Sequence, residues 1–257
     1  GSELWKSDGT SAGTTMVKDI RTGTSSSSPS YLTDVNGTLF FSANNATNGS
    51  ELWKSNGTEA GTTLVKDIYP GSLNSSPSYL TDVNGTLFFR AQDGTNGYEL
   101  WKSDGTTVGT TMLKDIYPGS SSSSPQNLTD FNGTLFFIAQ DATNGQELWK
   151  SDGTSAGTTM IKDIRTGSSS SSPQNLTDIN GTLFFRANNG TNGQELWKSD
   201  GTSAGTTMLK DIYPGSSSSS LAYFTDINGT LFFRAQDATN GQELWKSDGT
   251  AAGTTML

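Results

Sequence analysis

The 257-residue chain contains no cysteine and no histidine. Without cysteine it forms neither a disulfide nor a thiolate metal site. Without histidine it lacks the commonest general base, the commonest metal ligand and the side chain that titrates near neutral pH. An enzyme built from this chain would have to use paired carboxylates, and a carboxylate pair repeated identically along the chain is not typical of such enzymes. The composition therefore favours a protein that is not an enzyme.

Basic residues are also scarce: 16 Lys and Arg stand against 25 Asp and Glu, for a net charge of −9. Nucleic acids and anionic membrane surfaces bind clustered Lys and Arg, so neither is expected as a partner. No apolar run reaches the roughly 18 residues of a transmembrane helix, so membrane insertion is not expected. The apolar 31% of the chain is gathered in short blocks such as TLFF and ELWK, which argues against disorder.

What the chain does contain is repetition. Its six tryptophans lie at positions 5, 53, 101, 149, 197 and 245, always 48 residues apart. A fixed period in the range of roughly 20–50 residues is the signature of a repeat architecture. We interpret 1–257 as a single repeat domain, with five full 48-residue repeats plus a duplicated 17-residue terminal hairpin (1–17 and 241–257). The chain reads as a piece of a longer array or as an engineered protein.

Each repeat contains four short strand signals and no helical one. In the second repeat these are SYLTDV, TLFFRA, ELWKS and TTMLKDI. Asn84-Gly85, between the first two, is a strong two-residue hairpin signal because both positions tolerate positive φ. In TLFFRA, Phe88 lies on one face and Leu87 and Phe89 on the other, as in a strand covered on both sides.

These features predict an all-β fold, a β-propeller of four-stranded antiparallel blades with a 48-residue repeat. A parallel β-helix is the alternative, but its turns are shorter and the two halves of this repeat do not resemble each other. Five NGTLFF strands stand against six ELWKS strands, so five blades are favoured over six. One copy of the duplicated hairpin is then surplus, and we expect the N-terminal copy to close the ring or to pair with a second chain.

The recurring ELWKSDGT, GTTxxKDI and NGTLFF strings resemble the bacterial ELWxxDGT repeat proteins over essentially the whole chain. The resemblance implies propeller repeats and says little about a ligand. Members of that family commonly carry His-Gly before the Glu-Leu-Trp block. Here the histidine position holds asparagine in every full repeat, at Asn48, Asn96, Asn144, Asn192 and Asn240.

The loop after the second strand of each repeat is the best candidate for a binding site, because it is polar and has no part in the core. Its carboxylate and amide groups are suited to a glycan or to Ca²⁺. It lacks the residue series of a recognised calcium loop, so no metal site and no cofactor are predicted, and a plain connecting loop is the simpler interpretation. The candidate residues are Asp93, Asn96, Asp141, Asn144, Asn189, Asn192, Asp237 and Asn240.

Three other recurring features are interpreted as structural. Trp53 and its counterparts should lie in the core, each with its indole N–H bonded to a neighbouring carbonyl. The Asp of the SDGT turn, replaced by Asn56 in one repeat, should hydrogen-bond its own backbone. Lys66 and Asp67 are adjacent on a strand and point to opposite faces, so they should contact neighbouring blades rather than each other.

The sequence thus predicts a non-catalytic repeat scaffold or adhesion module of a secreted or surface-bound bacterial protein. The alternative is a multivalent lectin-like propeller, which should present an exposed aromatic residue beside Asp or Asn in every repeat. A protein or glycan partner is compatible with either interpretation, as is self-association through the terminal hairpins.

Overall fold

A computed structural model describes residues 1–257, and all of its regular secondary structure is β. The predicted absence of helices is therefore confirmed. Twenty-two strands form one two-stranded sheet and five four-stranded sheets. We call the two-stranded sheet the terminal hairpin; it contains β1 (Leu4–Lys6) and β2 (Thr15–Lys18).

The five four-stranded sheets follow one another along the chain, and in each the four strands are neighbours in sequence order. Their bounds, sheet by sheet, are β3 (Ser30–Val35), β4 (Thr38–Asn44), β5 (Ser50–Ser55) and β6 (Thr63–Lys66); β7 (Ser78–Val83), β8 (Thr86–Gln92), β9 (Tyr98–Ser103) and β10 (Thr111–Lys114); β11 (Gln126–Phe131), β12 (Thr134–Ala139), β13 (Glu147–Ser151) and β14 (Thr159–Lys162); β15 (Gln174–Ile179), β16 (Thr182–Asn188), β17 (Gln194–Ser199) and β18 (Thr207–Lys210); β19 (Ala222–Ile227), β20 (Thr230–Asp237), β21 (Gly241–Ser247) and β22 (Thr255–Met256).

The residues group into two compact units, Gly1–Asp130 and Phe131–Leu257. The first unit holds the terminal hairpin and the first two sheets, together with most of β11. The second unit holds the remainder of the third sheet and the fourth and fifth sheets.

The Asn-Gly hairpins form as predicted. Asn84 has φ 51° and Gly85 φ 80°, the two positive values that a type I′ turn requires. Val83 pairs with Thr86 across this turn, and the antiparallel register continues to Ser78 and Arg90 with one bulge. The same pair of left-handed residues recurs in each of the other four sheets, at 36–37, 132–133, 180–181 and 228–229.

Each four-stranded sheet has two apolar faces, as the TLFF pattern predicts. We call the face that carries Val35, Phe40 and Leu52 in the first sheet the forward face, and the face that carries Leu87, Phe89, Ala91 and Trp101 in the second sheet the rear face. These two faces pack together in one buried cluster. Equivalent clusters join the third sheet to the fourth and the fourth to the fifth. Burial between successive sheets is therefore the main source of hydrophobic stabilisation.

The tryptophan column lies in this core, which confirms the prediction for five of its six members. Trp53 and its four later counterparts are only 5–6% exposed, whereas Trp5 is 57% exposed. Trp101 packs beside Phe89, with ring centroids 6.5 Å apart. The prediction of a carbonyl partner for the indole N–H was wrong: the five buried indole nitrogens have no hydrogen-bond partner in the protein. Apolar burial of the ring, not a polar anchor, holds the residue.

The duplicated hairpin takes two different positions. Its C-terminal copy supplies β21 and β22 and so completes the fifth sheet. Its N-terminal copy is the terminal hairpin, which pairs only with itself. Leu4, Val17 and Ile20 of that region form a forward face and pack on the first sheet's Phe41 and Trp53. The five complete blades and one surplus hairpin expected from the sequence are thus present.

Candidate functional site

The loop residues predicted as a binding site turn back on their own loop. Asp93 Oδ1 accepts the backbone N–H groups of Thr95 and Asn96 at 2.8 and 2.9 Å, and Asn96 Nδ2 donates to Asp93 Oδ2 at 2.7 Å. The pairs Asp141–Asn144 and Asp237–Asn240 repeat this arrangement. In the second unit, the N–H of Asn240 lowers the pKa of Asp237. Each of these carboxylates therefore serves first to close its own turn.

The asparagine version of the loop adds one longer contact. Asn189 Oδ1 accepts the N–H groups of Thr191 and Asn192, both at 2.9 Å. Asn192 Nδ2 then donates to Asp211 Oδ2 at 2.8 Å. Here the loop is therefore bound to the residue that directly follows β18. No cluster of three or more acidic side chains with metal-binding geometry exists in residues 1–257. Ligand binding at these loops remains a prediction.

The carboxylate of the SDGT turn is structural, as predicted. Asp104 Oδ1 accepts the Thr106 N–H at 2.8 Å and the Thr106 hydroxyl at 2.7 Å, and these bonds lower the Asp104 pKa. Asn56 makes the same two bonds to Thr58, at 3.1 and 2.7 Å. Because the amide oxygen reproduces the carboxylate's contacts, the turn does not need the charge.

The repeated lysines join successive sheets, which confirms their predicted role. Lys66 Nζ donates to the Thr110 carbonyl at 2.7 Å, and Lys54 Nζ donates to the Gly105 carbonyl at 2.9 Å. Both bonds run from the first sheet to the second. Asp67 directly follows β6 and accepts Asn48 Nδ2 from a loop of its own sheet at 2.9 Å, so the predicted contact with a neighbouring blade is wrong for the aspartate.

Sequence reasoning missed the glutamate of the ELWK strand. Glu99 is fully buried; it accepts the backbone N–H groups of Ile116 and Ser123 and, at 2.6 Å, the Ser123 hydroxyl. It thereby fixes the Ser-rich linker to the next sheet, which comprises residues 115–125 between β10 and β11. Equivalent Ser-rich linkers precede the other four-stranded sheets. The available signal was the invariable spacing of this glutamate to a serine 24 residues later. The column consists of Glu3, Glu51, Glu99, Glu147 and Glu195.

Burial controls the titration of these glutamates. It raises the pKa of Glu99 to about 7, in spite of the opposing bonds from Ser123 and Ile116. At Glu3, burial also raises the pKa, but bonds from Ser27 and Ile20 outweigh it, so the pKa lies below 4.5. The donors are of the same kind, so the lower burial of Glu3 on the terminal hairpin decides the direction.

Two apolar sheet faces lack the covering found elsewhere. On the forward face of the fifth sheet, Leu244 is 53% exposed, whereas its counterparts in the four preceding sheets are fully buried. Ile227 on the same face is 50% exposed. On the terminal hairpin, Trp5 and Met16 form an exposed rear face. Exposed apolar surface that is buried at every equivalent position marks a candidate interaction surface.

Comparisons with known proteins show the fold. A puromycin hydrolase mutant in complex with PGG aligns with a TM-score of 0.54 and 14% identity over 96% of this chain and 40% of its own. A structure from a study of two prolyl endopeptidases aligns with a TM-score of 0.55 and 10% identity, over 90% of this chain and 35% of that one. TolB from Acinetobacter baumannii has a TM-score of 0.43 and 12% identity, over 88% of this chain and 53% of its own.

The alignments with the hydrolase and the endopeptidase confirm the predicted β-propeller fold. This chain spans about two fifths of the length of the hydrolase structure. No known protein family and no curated protein matches the sequence. None of the secondary-structure elements is a helix capable of spanning a bilayer.

Proposed function

We propose that the chain is a non-catalytic propeller scaffold that works by association, and that its uncovered forward face binds a second copy of itself. The single observation that carries the proposal is the exposure of Leu244 and Ile227 on a face that is buried in every preceding sheet. The lack of histidine and cysteine supports a function without catalysis.

The proposed partner surface resembles the interface between successive sheets. In the second unit, the forward face of the fourth sheet is covered by Leu231, Phe233, Ala235 and Trp245 of the fifth. A rear-face tryptophan is thus the natural complement of a forward face. Trp5 on the terminal hairpin is such a residue and is exposed. A second copy offers its Trp5 to the Leu244 face of the first, in a head-to-tail contact.

We also propose that the protein is secreted or bound to the cell surface. Resemblance to bacterial ELWxxDGT repeat proteins supports a secreted or surface-bound protein, in which repeated acidic modules act in adhesion or assembly. Fractionation of a producing cell tests this part independently, and recovery in the cytosol alone would contradict it.

The lectin-like alternative receives less support in its multivalent form. It calls for an exposed aromatic side chain in every repeat, whereas the large aromatic residues that are exposed are Trp5, Tyr31 and Tyr223. The second, third and fourth sheets contribute none. A repeated sugar site is therefore not the function that the geometry favours.

Sedimentation velocity over a range of protein concentrations tests the association. We expect the parent chain to form concentration-dependent oligomers, and the variants Leu244→Glu and Trp5→Glu each to be monomeric, because a charge on either face opposes burial. Val108→Glu is the matched control, since Val108 is exposed and lies in a turn away from both faces.

Mixing the two variants gives the sharpest result. Leu244→Glu retains an intact Trp5, and Trp5→Glu retains an intact Leu244 face. A one-to-one mixture should therefore form a dimer and stop there, because each dimer contains only one competent interface. A parent chain that is monomeric at all concentrations, or a Val108→Glu chain that dissociates equally, refutes the proposal.

A further inference from the structure

A pocket of about 450 Å³ lies in the first unit, between the first and second sheets. It opens where the Ser-rich linkers enter these sheets, and its wall includes Arg21, Tyr31, Ser42, Ser78 and Arg90. Ligand pockets typically have volumes of roughly 300–1,000 Å³. The loop residues singled out from the sequence are not part of this wall.

The pocket exists because one repeat carries a small residue where another carries a large one. Ser42 of β4 corresponds to Arg186 of β16, three repeats later. Arg186 Nη1 crosses to the fifth sheet's linker and donates to the Leu221 carbonyl at 2.7 Å. The counterpart of Leu221 is Pro77, which lines the pocket. Since a serine cannot span this gap, the space that an arginine side chain occupies in the second unit is open in the first.

The charges around the pocket are of one sign. All eleven lysines of the chain belong to the repeated ELWK and KDI strings, whereas the five arginines occupy variable positions. Two of these five, Arg21 and Arg90, line the pocket, and no carboxylate does. Asp19, two residues before Arg21, does not line the pocket, and Glu3 and Glu51 are bonded to Ser27 and Ser75. A protein with net charge −9 therefore presents a locally cationic cavity.

Two tyrosine rings hold Arg90 in place. The Arg90 guanidinium carbon lies 5.1 Å from the Tyr79 ring centroid and 5.0 Å from that of Tyr98. Its Nε donates to Ser78 Oγ at 3.1 Å. A guanidinium stacked between two rings and bonded through Nε is pre-organised, and its terminal nitrogens form the fork that binds a carboxylate.

Tyr31 lines the pocket from a left-handed backbone position. Tyr31 has φ 55°, a left-handed conformation that is unfavourable for a bulky residue. The third and fourth sheets place Asn127 and Asn175 at the equivalent positions, and asparagine tolerates this conformation better. Tyr79 and Tyr223 hold the equivalent positions in the second and fifth sheets with φ 55° and 60°, so the conformation is not specific to the pocket. The half-exposed ring of Tyr31 forms part of the pocket wall.

We infer that this pocket binds an acidic saccharide. Arg21 and Arg90 match the carboxylate, the many serine hydroxyls match the ring hydroxyls, and the Tyr31 face matches the apolar side of a sugar ring. The inference goes beyond the association proposed above, because it uses neither uncovered sheet face. The same chemistry is presented by a free uronic acid and by the end of an acidic polysaccharide.

Calorimetric titration with glucuronate tests the ligand class, with a short glucuronate-containing oligosaccharide to distinguish the two sources. Glucose is the control for the hydroxyls alone, and acetate for the charge alone. We expect glucuronate to bind and both controls to bind at least about tenfold more weakly, because a hydrogen bond to a charged group contributes roughly 1.5–3 kcal/mol. Tighter binding of the oligosaccharide identifies a polysaccharide end as the source.

Variants that copy residues from the chain's own repeats are expected to keep the fold. Arg90→Ile copies Ile138 of the third sheet, and Ser42→Arg copies Arg186 of the fourth. Each should weaken glucuronate binding about tenfold or more, whereas Arg234→Ile, the same change outside the pocket, should leave it unchanged. Equal affinity for glucose or acetate, no glucuronate binding by the parent, or unchanged binding by Arg90→Ile each overturns the inference.

Discussion

At the scale of single residues, identical residues of the repeated strings differ in burial according to the strands and sheets around them. Trp5 and Trp101 stand in the same ELWKSDGT string, yet Trp5 is exposed and Trp101 is buried. Trp101 lies over the TLFF strand of its own sheet and against the sheet before it. The terminal hairpin has no TLFF strand beside it. Trp101 is buried because both the inner strand and the preceding sheet cover it, whereas Trp5 lacks the inner strand and its rear face is exposed.

This contrast predicts the effect of a substitution. Trp101→Ala should lower the free energy of unfolding by about 3–5 kcal/mol, the usual cost of emptying a large core site. Trp5→Ala is the matched control, and a change of within about 0.5 kcal/mol is expected for so exposed a residue. Denaturant unfolding at low protein concentration measures both. Equal effects for the two variants would contradict the assignment of the column to the core.

At the scale of elements, the buried glutamates tie each ELWK strand to the linker beyond it. Glu51 receives the N–H groups of Ile68 and Ser75 at 2.9 Å each, so one side chain satisfies backbone donors on a segment with few backbone partners. The hairpins themselves were predictable, because Asn-Gly turns and apolar alternation are local. The glutamate contact was not, since it joins residues 17 and 24 positions apart that no local pattern pairs.

These glutamates predict an unusual dependence of stability on pH. Burial raises the pKa of Glu51, Glu99 and Glu195 to about 7 and of Glu147 to about 6. Between pH 4.5 and about 7 the folded chain therefore binds more protons than the unfolded chain, and the free energy of unfolding falls as the pH rises through this window. Bonds from Thr106 lower the pKa of Asp104, so stability also falls in acid below about pH 4. Maximal stability is expected in mild acid.

Thermal unfolding at a series of pH values measures this dependence. Glu99→Gln should make the decline between pH 5 and pH 8 shallower, because one of the four raised carboxyls is removed. Glu243→Gln is the matched control, since Glu243 stands at the equivalent position of the last ELWK string but is exposed. A melting temperature that rises from pH 5 to pH 8 in the parent chain would show that the buried glutamates stay ionised.

At the scale of the whole molecule, the surplus hairpin is the feature that departs from strict repetition. Leu4, Val17 and Ile20 cover the rear face of the first sheet, while Trp5 remains exposed on the opposite side. The terminal hairpin therefore acts as a cap within the first unit. It also supplies one half of the proposed head-to-tail contact.

Deletion of residues 1–17 tests both roles together. Removal uncovers Phe41 and Trp53, which are buried against the hairpin, so we expect a lower melting temperature than that of the parent. The deletion also removes Trp5, so association should be lost. Light scattering and thermal unfolding report the two effects separately. A deleted chain with the parent's mass and melting temperature would mean that the hairpin has no structural role.

The sequence by itself determined the strands, their turns and the four-stranded repeat, because each depends on residues a few positions apart: Asn84 and Gly85 for the turn, Leu87 to Phe89 for the doubly covered strand. Tertiary structure decided what surrounds each copy. It placed Trp5 in solvent, buried Glu99, and opened a pocket at Ser42 that Arg186 fills elsewhere. These outcomes depend on the neighbouring sheet. A local sequence pattern that is the same in each repeat cannot indicate which neighbour is present.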